Sequence, residues 1–202
     1  MHDEVYHNAT LRAQTVERQS MDRLNLSVQE LIDCDTAIDQ GCVGGNPLLA
    51  FYFVHKYGLT SADQYPYVGV KEKCHKRSAN TPVATVDSWG ILPPNSERHM
   101  ELVLRYIGPI AVGFNGGDPT FLSYSGGIYY HKNCHHRSNH ALLVVGYGEE
   151  EHVDDEGNVV TVPYWIARNS VGKKYEHPCC HLYFHFSPKN GSTCLSCFVL
   201  SL

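Results

Sequence analysis

Four short β-rich runs, separated by turn residues, occupy the second half of the chain. They are GPIAVGF, GGIYY, HALLVVGY and PYWIAR. Runs of this length between turns are typical of strands in an antiparallel sheet, and this pattern is the strongest constraint on the fold. The stretch GEEEHVDDEGNVVTV lies between the last two runs. It predicts a solvated acidic hairpin arm with Asp155, Glu156, Gly157 and Asn158 at its tip.

The first half of the chain is predicted to be helical. Ser27 precedes an apolar run, and Glu30 lies three residues further on, which is the pattern of a capping box. A second helix is predicted to begin at Pro47 and to end at Gly58, because proline suits the first turn and glycine the end of a helix. The glycines before it predict a bent backbone that a ligand could approach closely.

A helical half followed by an antiparallel half predicts the α+β fold class, with a cleft between two lobes. The chain has 202 residues and 43% hydrophobic residues, which is enough for a packed core. We expect one domain over residues 1–170, with the helical lobe over about residues 15–85 and the β lobe over residues 86–170.

Charge and hydropathy exclude two classes of partner. The net charge is −5 and no basic run is present, so we expect no nucleic acid partner. No apolar stretch approaches the roughly 20 residues that a membrane helix needs, so we expect no membrane association. No signal peptide is visible, since the first residues lack an apolar segment.

Cysteines and glycosylation sequons favour a secretory or lysosomal compartment. The chain has eight cysteines, which is many for a cytosolic protein of this size. Three Asn-x-Ser/Thr sequons begin at Asn8, Asn25 and Asn190.

The stretch SNHALLVVGYG places a histidine, His140, directly before a predicted buried strand. A single histidine in such a position is usually structural. However, Asn169 follows another predicted strand in WIARNS. An imidazole and an amide at neighbouring strand ends can form a hydrogen bond that fixes the orientation and tautomer of the ring, as in a nucleophile–base–orienter system.

Several blocks in the same order resemble the papain family of cysteine peptidases, the cathepsins. They are LSVQELIDCD, GCVGGNP, YPY, GPIAVGF, YSGGIYY, NHALLVVGYG and YWIARNS, and LSVQ is similar to a cathepsin O-like branch. The resemblance covers about residues 15–170. It implies a papain-like two-lobe fold, with a helical left lobe and an antiparallel β-barrel-like right lobe that is incomplete.

The resemblance also implies site residues. His140 matches the catalytic histidine, and Asn169 matches the asparagine that orients it. The positions that match substrate-binding residues are Gly44, Gly45, Asn46, Pro47, Gly113 and Asn139. Backbone donors and acceptors at such positions suit an extended peptide.

The nucleophile that the family requires is not found. Counting from Thr15-Val16-Glu17 places the expected cysteine near His7, and no cysteine precedes Cys34. The resemblance assigns Cys34 instead to a structural disulfide with Cys74. That bridge would close a loop of about 40 residues and would contribute about 3–4 kcal/mol to stability.

Residues 171–202 depart from the family pattern, and we expect them to form an irregular tail. Val171 stands where the family has a tryptophan, and Cys42 and Cys134 match cysteines whose partners are not found. We interpret the differences at both ends as truncation through an incomplete gene structure or a splice form. Loss of a barrel strand and part of a core helix predicts poor stability.

The sequence therefore predicts a thiol protease family member that acts in proteolysis on a peptide or protein substrate, and that is inactive as it stands. The alternative is a catalytically dead homologue that binds peptides or a protein partner in the cleft. We expect a monomer without cofactors, in the lysosome or outside the cell.

A metal-binding module is the third hypothesis. HKNCHHRSNH and the cysteines of the tail contain residues that bind zinc, but they lack paired C-x-x-C and H-x-x-x-H spacing. The resemblance already assigns His140 a different role. We therefore expect no metal site.

Overall fold

The computed structural model describes residues 25–36, 39–75, 81–93, 96–131, 138–154, 156–170, 181–185, 195–197 and 200–201. The chain divides into two compact units. The first comprises Met1–Ile91 and Phe198–Leu202, and the second comprises Leu92–Cys197. In the described ranges, no helix is both long enough and apolar enough to cross a membrane.

Helix α1 of the first unit, Val28–Cys34, begins at the predicted cap. The Ser27 hydroxyl accepts a hydrogen bond from the Glu30 amide at 3.0 Å. The capping box is only half formed, because the Glu30 carboxylate accepts from the amide and the hydroxyl of Thr60, each at 2.8 Å. The Ser27 amide donates to the Thr60 carbonyl instead. The Glu30 carboxylate thus binds Thr60, thirty residues along the chain, and the Ser27 amide does not donate to it as in a capping box. The spacing of residues in the sequence does not reveal this long-range contact.

Helix α2, Pro47–Tyr57, has the predicted bounds. Asn46 caps its first turn by accepting from the Leu48 amide at 3.0 Å. Gly58 ends the helix with φ at 71°, a conformation that favours glycine. One cluster of buried apolar residues in the described part of this unit consists of Leu26, Leu31, Ala50, Phe51, Phe53, Val54, Leu59, Ala84 and Val86.

The predicted disulfide between Cys34 and Cys74 is present in the first unit. It joins the end of α1 to the segment around Cys74. The same part of the chain also forms hydrogen bonds with the buried side chain of Asp33 in α1. Asp33 accepts from the Glu72 amide at 2.7 Å and from the Tyr65 hydroxyl at 2.8 Å. Strand β1, Trp89–Gly90, pairs with β8, Leu200–Ser201.

The described part of the second unit contains two helices and a six-stranded sheet. Its helices are α3, Glu97–Tyr106, and α4, Pro119–Leu122. Its strands are β2, Ile110–Phe114, β3, Ile128–Tyr129, β4, His140–Val153, β5, Val159–Arg168, β6, His181–His185, and β7, Leu195–Cys197. The sheet order is β3-β6-β5-β4-β2-β7, and all neighbours are antiparallel except β3 and β6. The described strands thus form an open sheet rather than a closed barrel.

The four β-rich runs form strands as predicted, and the acidic stretch forms the outer part of the β4–β5 hairpin. At its turn, the Asp154 carboxylate accepts from the amides of Glu156 and Asn158. Gly157 adopts φ at 84°, as a glycine in a tight turn can. Asp155 lies outside the described residues.

The prediction of an irregular tail over residues 171–202 is wrong for β6, β7 and β8. Strand β6 pairs with β5 from Tyr164 to Arg168. Phe184 in β6 is buried against Phe114, with ring centroids 5.0 Å apart. The run HLYFH has the aromatic content of a strand, but its position depends on the edge that β5 offers, and local sequence does not contain that information.

Candidate active site

His140 and Asn169 lie at the same end of the sheet because β4 and β5 are antiparallel neighbours. His140 is the first residue of β4, and Asn169 directly follows β5. The pairing of Leu143 with Arg168 fixes the register between the two strands. The His140 Nε2 and Asn169 Oδ1 atoms are 3.0 Å apart, and both residues are half-buried. The sequence-predicted pair therefore forms a direct hydrogen bond.

The partners of Asn169 determine which tautomer of His140 this contact requires. Asn169 Oδ1 also accepts a hydrogen bond from the Ser170 amide at 2.9 Å. That atom must be the carbonyl oxygen, since a backbone amide can only donate. The imidazole Nε2 must therefore carry a hydrogen and donate it. In the neutral ring the lone pair is then on Nδ1, where it can act as a base.

A turn after β2 supports the other side of His140. Gly116 lies so close that a Cβ there would be 2.8 Å from the His140 Cβ. The Gly116 amide donates to Asn139 Oδ1 at 2.8 Å, and Asn139 Nδ2 donates to Asn115 Oδ1 at 3.0 Å. The Asn139 amide donates to the Phe114 carbonyl at 3.0 Å. These contacts hold Asn139, the residue before His140, by three of its atoms, all in neutral groups.

The predicted binding residues Gly113 and Asn139 both lie beside His140. Gly113 is buried in β2 and pairs with Ala141 of β4. Asn139 is exposed. Sequence reasoning did not identify Asn115 and Gly116. The asparagine–glycine–glycine turn that directly follows a buried strand was the available signal.

The remaining predicted binding residues, Gly44, Gly45, Asn46 and Pro47, belong to the first unit. They end a tight loop that starts with a 3-10 turn at Gly41–Val43. The Gly44 amide donates to the Gly41 carbonyl at 3.1 Å, and the Gln40 amide donates to the Gly44 carbonyl at 2.9 Å. Gly44, Gly45 and Pro47 are half-buried, whereas Asn46 is exposed.

Aromatic rings form a packed layer in the second unit. Phe114, the last residue of β2, pairs with His140 across the sheet. Its ring makes edge-to-face contacts with Phe121 at 4.6 Å, Tyr129 at 6.0 Å and Phe184 at 5.0 Å between centroids. Such contacts add to the stabilisation from burial and favour one arrangement of the strands that carry the site.

The metal hypothesis involves residues that are only partly described. Within the described ranges, no group of three or more histidine, cysteine, aspartate or glutamate side chains is placed to hold an ion. His131 approaches Asp118 at 3.9 Å. The other proposed ligands before His140, Cys134, His135 and His136, lie outside the described residues, as does the His7 position.

Comparison with known proteins identifies the family. The sequence matches the family described as "Papain family cysteine protease" over residues 7–201. It is 39% identical over 153 residues to "Cathepsin J" of Mus musculus, covering 74% of this chain and 44% of that protein. It is 37% identical over 153 residues to "Cysteine proteinase COT44" of Brassica napus, covering 75% and 43% respectively. The chain belongs to the papain family of cysteine proteases.

Solved structures agree with this assignment. The fold matches the cysteine protease CMS1MS2 of Carica candamarcensis, solved in complex with E-64, with a TM-score of 0.78 and 25% identity, covering 98% of this chain and 87% of that one. It matches a digestive procathepsin L2 of Tenebrio molitor with a TM-score of 0.79 and 27% identity, covering 97% and 60%. The chain spans less than half the length of the curated relatives named above.

Proposed function

We propose that this chain supplies the histidine and asparagine of a cysteine peptidase site that hydrolyses peptide bonds. The observation that carries the proposal is the 3.0 Å hydrogen bond from His140 Nε2 to Asn169 Oδ1. Because Asn169 Oδ1 also accepts from the Ser170 amide, the asparagine holds the ring in the tautomer that leaves Nδ1 basic. Membership of the family supports proteolysis as the reaction class.

In this proposal His140 is both general base and general acid. Nδ1 takes the proton of a cysteine thiol, and the thiolate attacks the peptide carbonyl to form a tetrahedral intermediate. The imidazolium then gives the proton to the amine nitrogen, so that the C–N bond breaks, the amine leaves and an acyl-enzyme remains. A water molecule, deprotonated by the same nitrogen, releases the acid product and restores the thiol. Asn169 positions the ring in each step and takes no proton itself.

We propose further that the chain does not catalyse this reaction alone. No cysteine occurs in residues 1–33, and the sulfur of Cys34 is in a disulfide with Cys74, so it cannot form the thiolate. In this proposal the thiol is not supplied by residues 1–34 of this chain. This interpretation corresponds to the truncated family member that the sequence predicts.

A peptide-binding homologue without hydrolytic activity is the second candidate. The loop that contains Gly44, Gly45 and Asn46 supports it, because its hydrogen bonds and the Asn46 cap of α2 form without a nucleophile. In this candidate the loop binds an extended peptide through its backbone, and His140 has no chemical role.

One graft experiment distinguishes the candidates. Residues 1–14 are replaced by the corresponding cysteine-bearing segment of a papain-family relative, and hydrolysis of fluorogenic peptides is measured. The first candidate predicts activity in the graft that is lost in His140→Ala and in a cysteine-to-serine graft. A graft that folds and binds peptides without cleaving them would support the second candidate and contradict the first.

We propose that the protein works in the lysosome or outside the cell, as a monomer. The Cys34–Cys74 disulfide supports an oxidising compartment during folding. Thiol mapping on protein from the native source tests the compartment, since a reduced pair would contradict it. Sedimentation velocity tests the monomer, and a concentration-dependent dimer would exclude it.

A further inference from the structure

Two buried carboxyl groups in the first unit face each other at the base of the loop over residues 40–46. Asp35 follows α1, and its amide donates to the Leu31 carbonyl at 3.1 Å. Asp39 begins the loop. The two side chains have exposed fractions of 4% and 3%. Neither residue contributes to the proposed chemistry of His140.

Asp39 closes the loop. Its Oδ1 atom accepts a hydrogen bond from the Asn46 amide at 2.7 Å, seven residues along the chain. Asn46 in turn caps α2. The Asp39 carboxyl therefore fixes the far end of the loop, which contains Gly44 and Gly45, and with it the start of the following helix.

One oxygen of the buried Asp35 carboxyl group has no hydrogen-bond donor in the described part of the chain. Among the described residues, its Oδ2 atom is shielded from solvent and receives no hydrogen bond from an N–H or O–H donor. A hydrogen bond with the Asp39 side chain is one of the causes that raise the pKa of Asp35. Two carboxylates cannot donate to each other, so this contact requires that one of them carries a proton.

We propose that Asp35 and Asp39 share one proton and form a carboxyl latch, which holds the loop over residues 40–46 in acid and releases it at alkaline pH. Loss of the shared proton would leave two negative charges side by side in a buried site. The repulsion would act on the group that binds the Asn46 amide. The link from the latch to peptide binding rests on the function proposed above, whereas the latch itself does not.

The surroundings of Asp35 raise its pKa on balance, which is the direction that the latch requires. Burial, the hydrogen bond to Asp39 and the Asp39 charge, in that order, raise the pKa of Asp35 to about 7. Lys71 opposes the shift. The Lys71 side chain lies over Gly41, where a Cβ would be 2.8 Å from the lysine Cδ. The Lys71 cation thus favours the charged form of Asp35 and limits the rise of its pKa.

The sign of the pH dependence follows from the two states of Asp35. In the unfolded chain the group titrates near its ordinary pKa of 3.8, and in the folded chain near 7. Between these values the folded state binds more protons than the unfolded state. The free energy of unfolding therefore decreases as pH rises from about 4 to about 7, and the contribution is lost above this window.

Hydrogen exchange of the Asn46 and Gly44 amides tests the latch without reference to peptidase activity. After correction for intrinsic exchange rates, we expect the protection of Asn46 to fall more than about tenfold between pH 5 and pH 8. The Asp39→Asn variant mimics the protonated partner, because its amide can donate to Asp35 while its oxygen accepts from Asn46. We expect its protection factor to be independent of pH over this range.

Asp63→Asn is the matched control, since it removes an exposed aspartate of the same unit. It should retain the wild-type pH dependence. Infrared spectroscopy provides a second measurement on the wild-type chain, in which a protonated carboxyl band should persist near pH 6 and should be absent from Asp35→Asn. An Asn46 amide with constant protection from pH 5 to pH 8, or a missing carboxyl band, would overturn the latch. Either result would leave the His140–Asn169 proposal untouched.

Discussion

The loop over residues 40–46 and the corner around His140 are both held by side-chain hydrogen bonds, but by different kinds of group. The loop is closed by Asp39, a buried carboxyl next to a second one. The corner is held by the amides of Asn115, Asn139 and Asn169. Carboxyl groups gain and lose charge between acid and neutral pH, whereas asparagine does not.

This difference predicts different responses to pH in the two regions. The hydrogen bonds described above at Asn139 and between His140 and Asn169 use neutral side-chain amides as supports, and these do not titrate. The loop in the other unit responds to pH through its anchor. The predictions below test whether the two regions can be changed independently, from the largest expected effect to the smallest.

Removing the disulfide should affect the first unit most strongly. In the double variant Cys34→Ser and Cys74→Ser, we expect the free energy of unfolding to fall by about 3–4 kcal/mol, because the bridge closes a loop of about 40 residues in the unfolded chain. Urea unfolding with and without reductant measures this effect. Reductant should destabilise the wild type and leave the variant unchanged. A variant as stable as the oxidised wild type would contradict the prediction.

Adding a methyl group at Gly116 should affect the histidine corner. The new Cβ would be 2.8 Å from the Cβ of His140, and atoms that close to the backbone cannot simply rotate away. We expect Gly116→Ala to lower the free energy of unfolding by about 1–3 kcal/mol. The imidazole resonances of His140 should shift as well. Thermal unfolding and NMR measure the two effects.

Gly90→Ala is the control for this substitution, because nothing lies within 4 Å of the added carbon. It should leave both the stability of the corner and the His140 resonances unchanged. If the His140 resonances of Gly116→Ala coincide with those of the wild type, a Cβ at position 116 does not displace His140, and the prediction is wrong.

Removing the Asn139 side chain should give the smallest effect. Asn139→Ala loses an exposed hydrogen bond from the Gly116 amide and one to Asn115, so we expect a loss of about 1 kcal/mol. The pH dependence of Asn46 exchange should not change, since that anchor belongs to the other region. A changed exchange profile at Asn46 would show that the two regions are coupled.

The sequence contained enough information for most of the fold and for the central pair. Strand runs, helix caps and the family blocks predicted β4, β5, α2 and the positions of His140 and Asn169. These features depend on local pattern or on motifs of several residues. The disulfide of Cys34 and Cys74 was predicted from the resemblance, and the structure contains it.

Contacts that depend on the assembled fold were not predicted. Glu30 matches a capping box but binds Thr60, thirty residues away. Strand β6 forms because β5 offers an edge, and HLYFH alone does not specify this partner. Asp35 and Asp39 are two ordinary acidic residues in the sequence, and only the closure of the loop onto Asn46 places them together in a buried site.

The tautomer of His140 in the neutral protein is the most direct test of the proposed site. Nitrogen-15 NMR of the imidazole at a pH where the ring is neutral distinguishes protonated from unprotonated ring nitrogens. The hydrogen bond to Asn169 predicts one tautomer with the hydrogen on Nε2, and a mixture of both in Asn169→Ala. A wild-type ring with its hydrogen on Nδ1, or a mixture that Asn169→Ala does not alter, would contradict the assignment of Asn169 as the residue that positions the base.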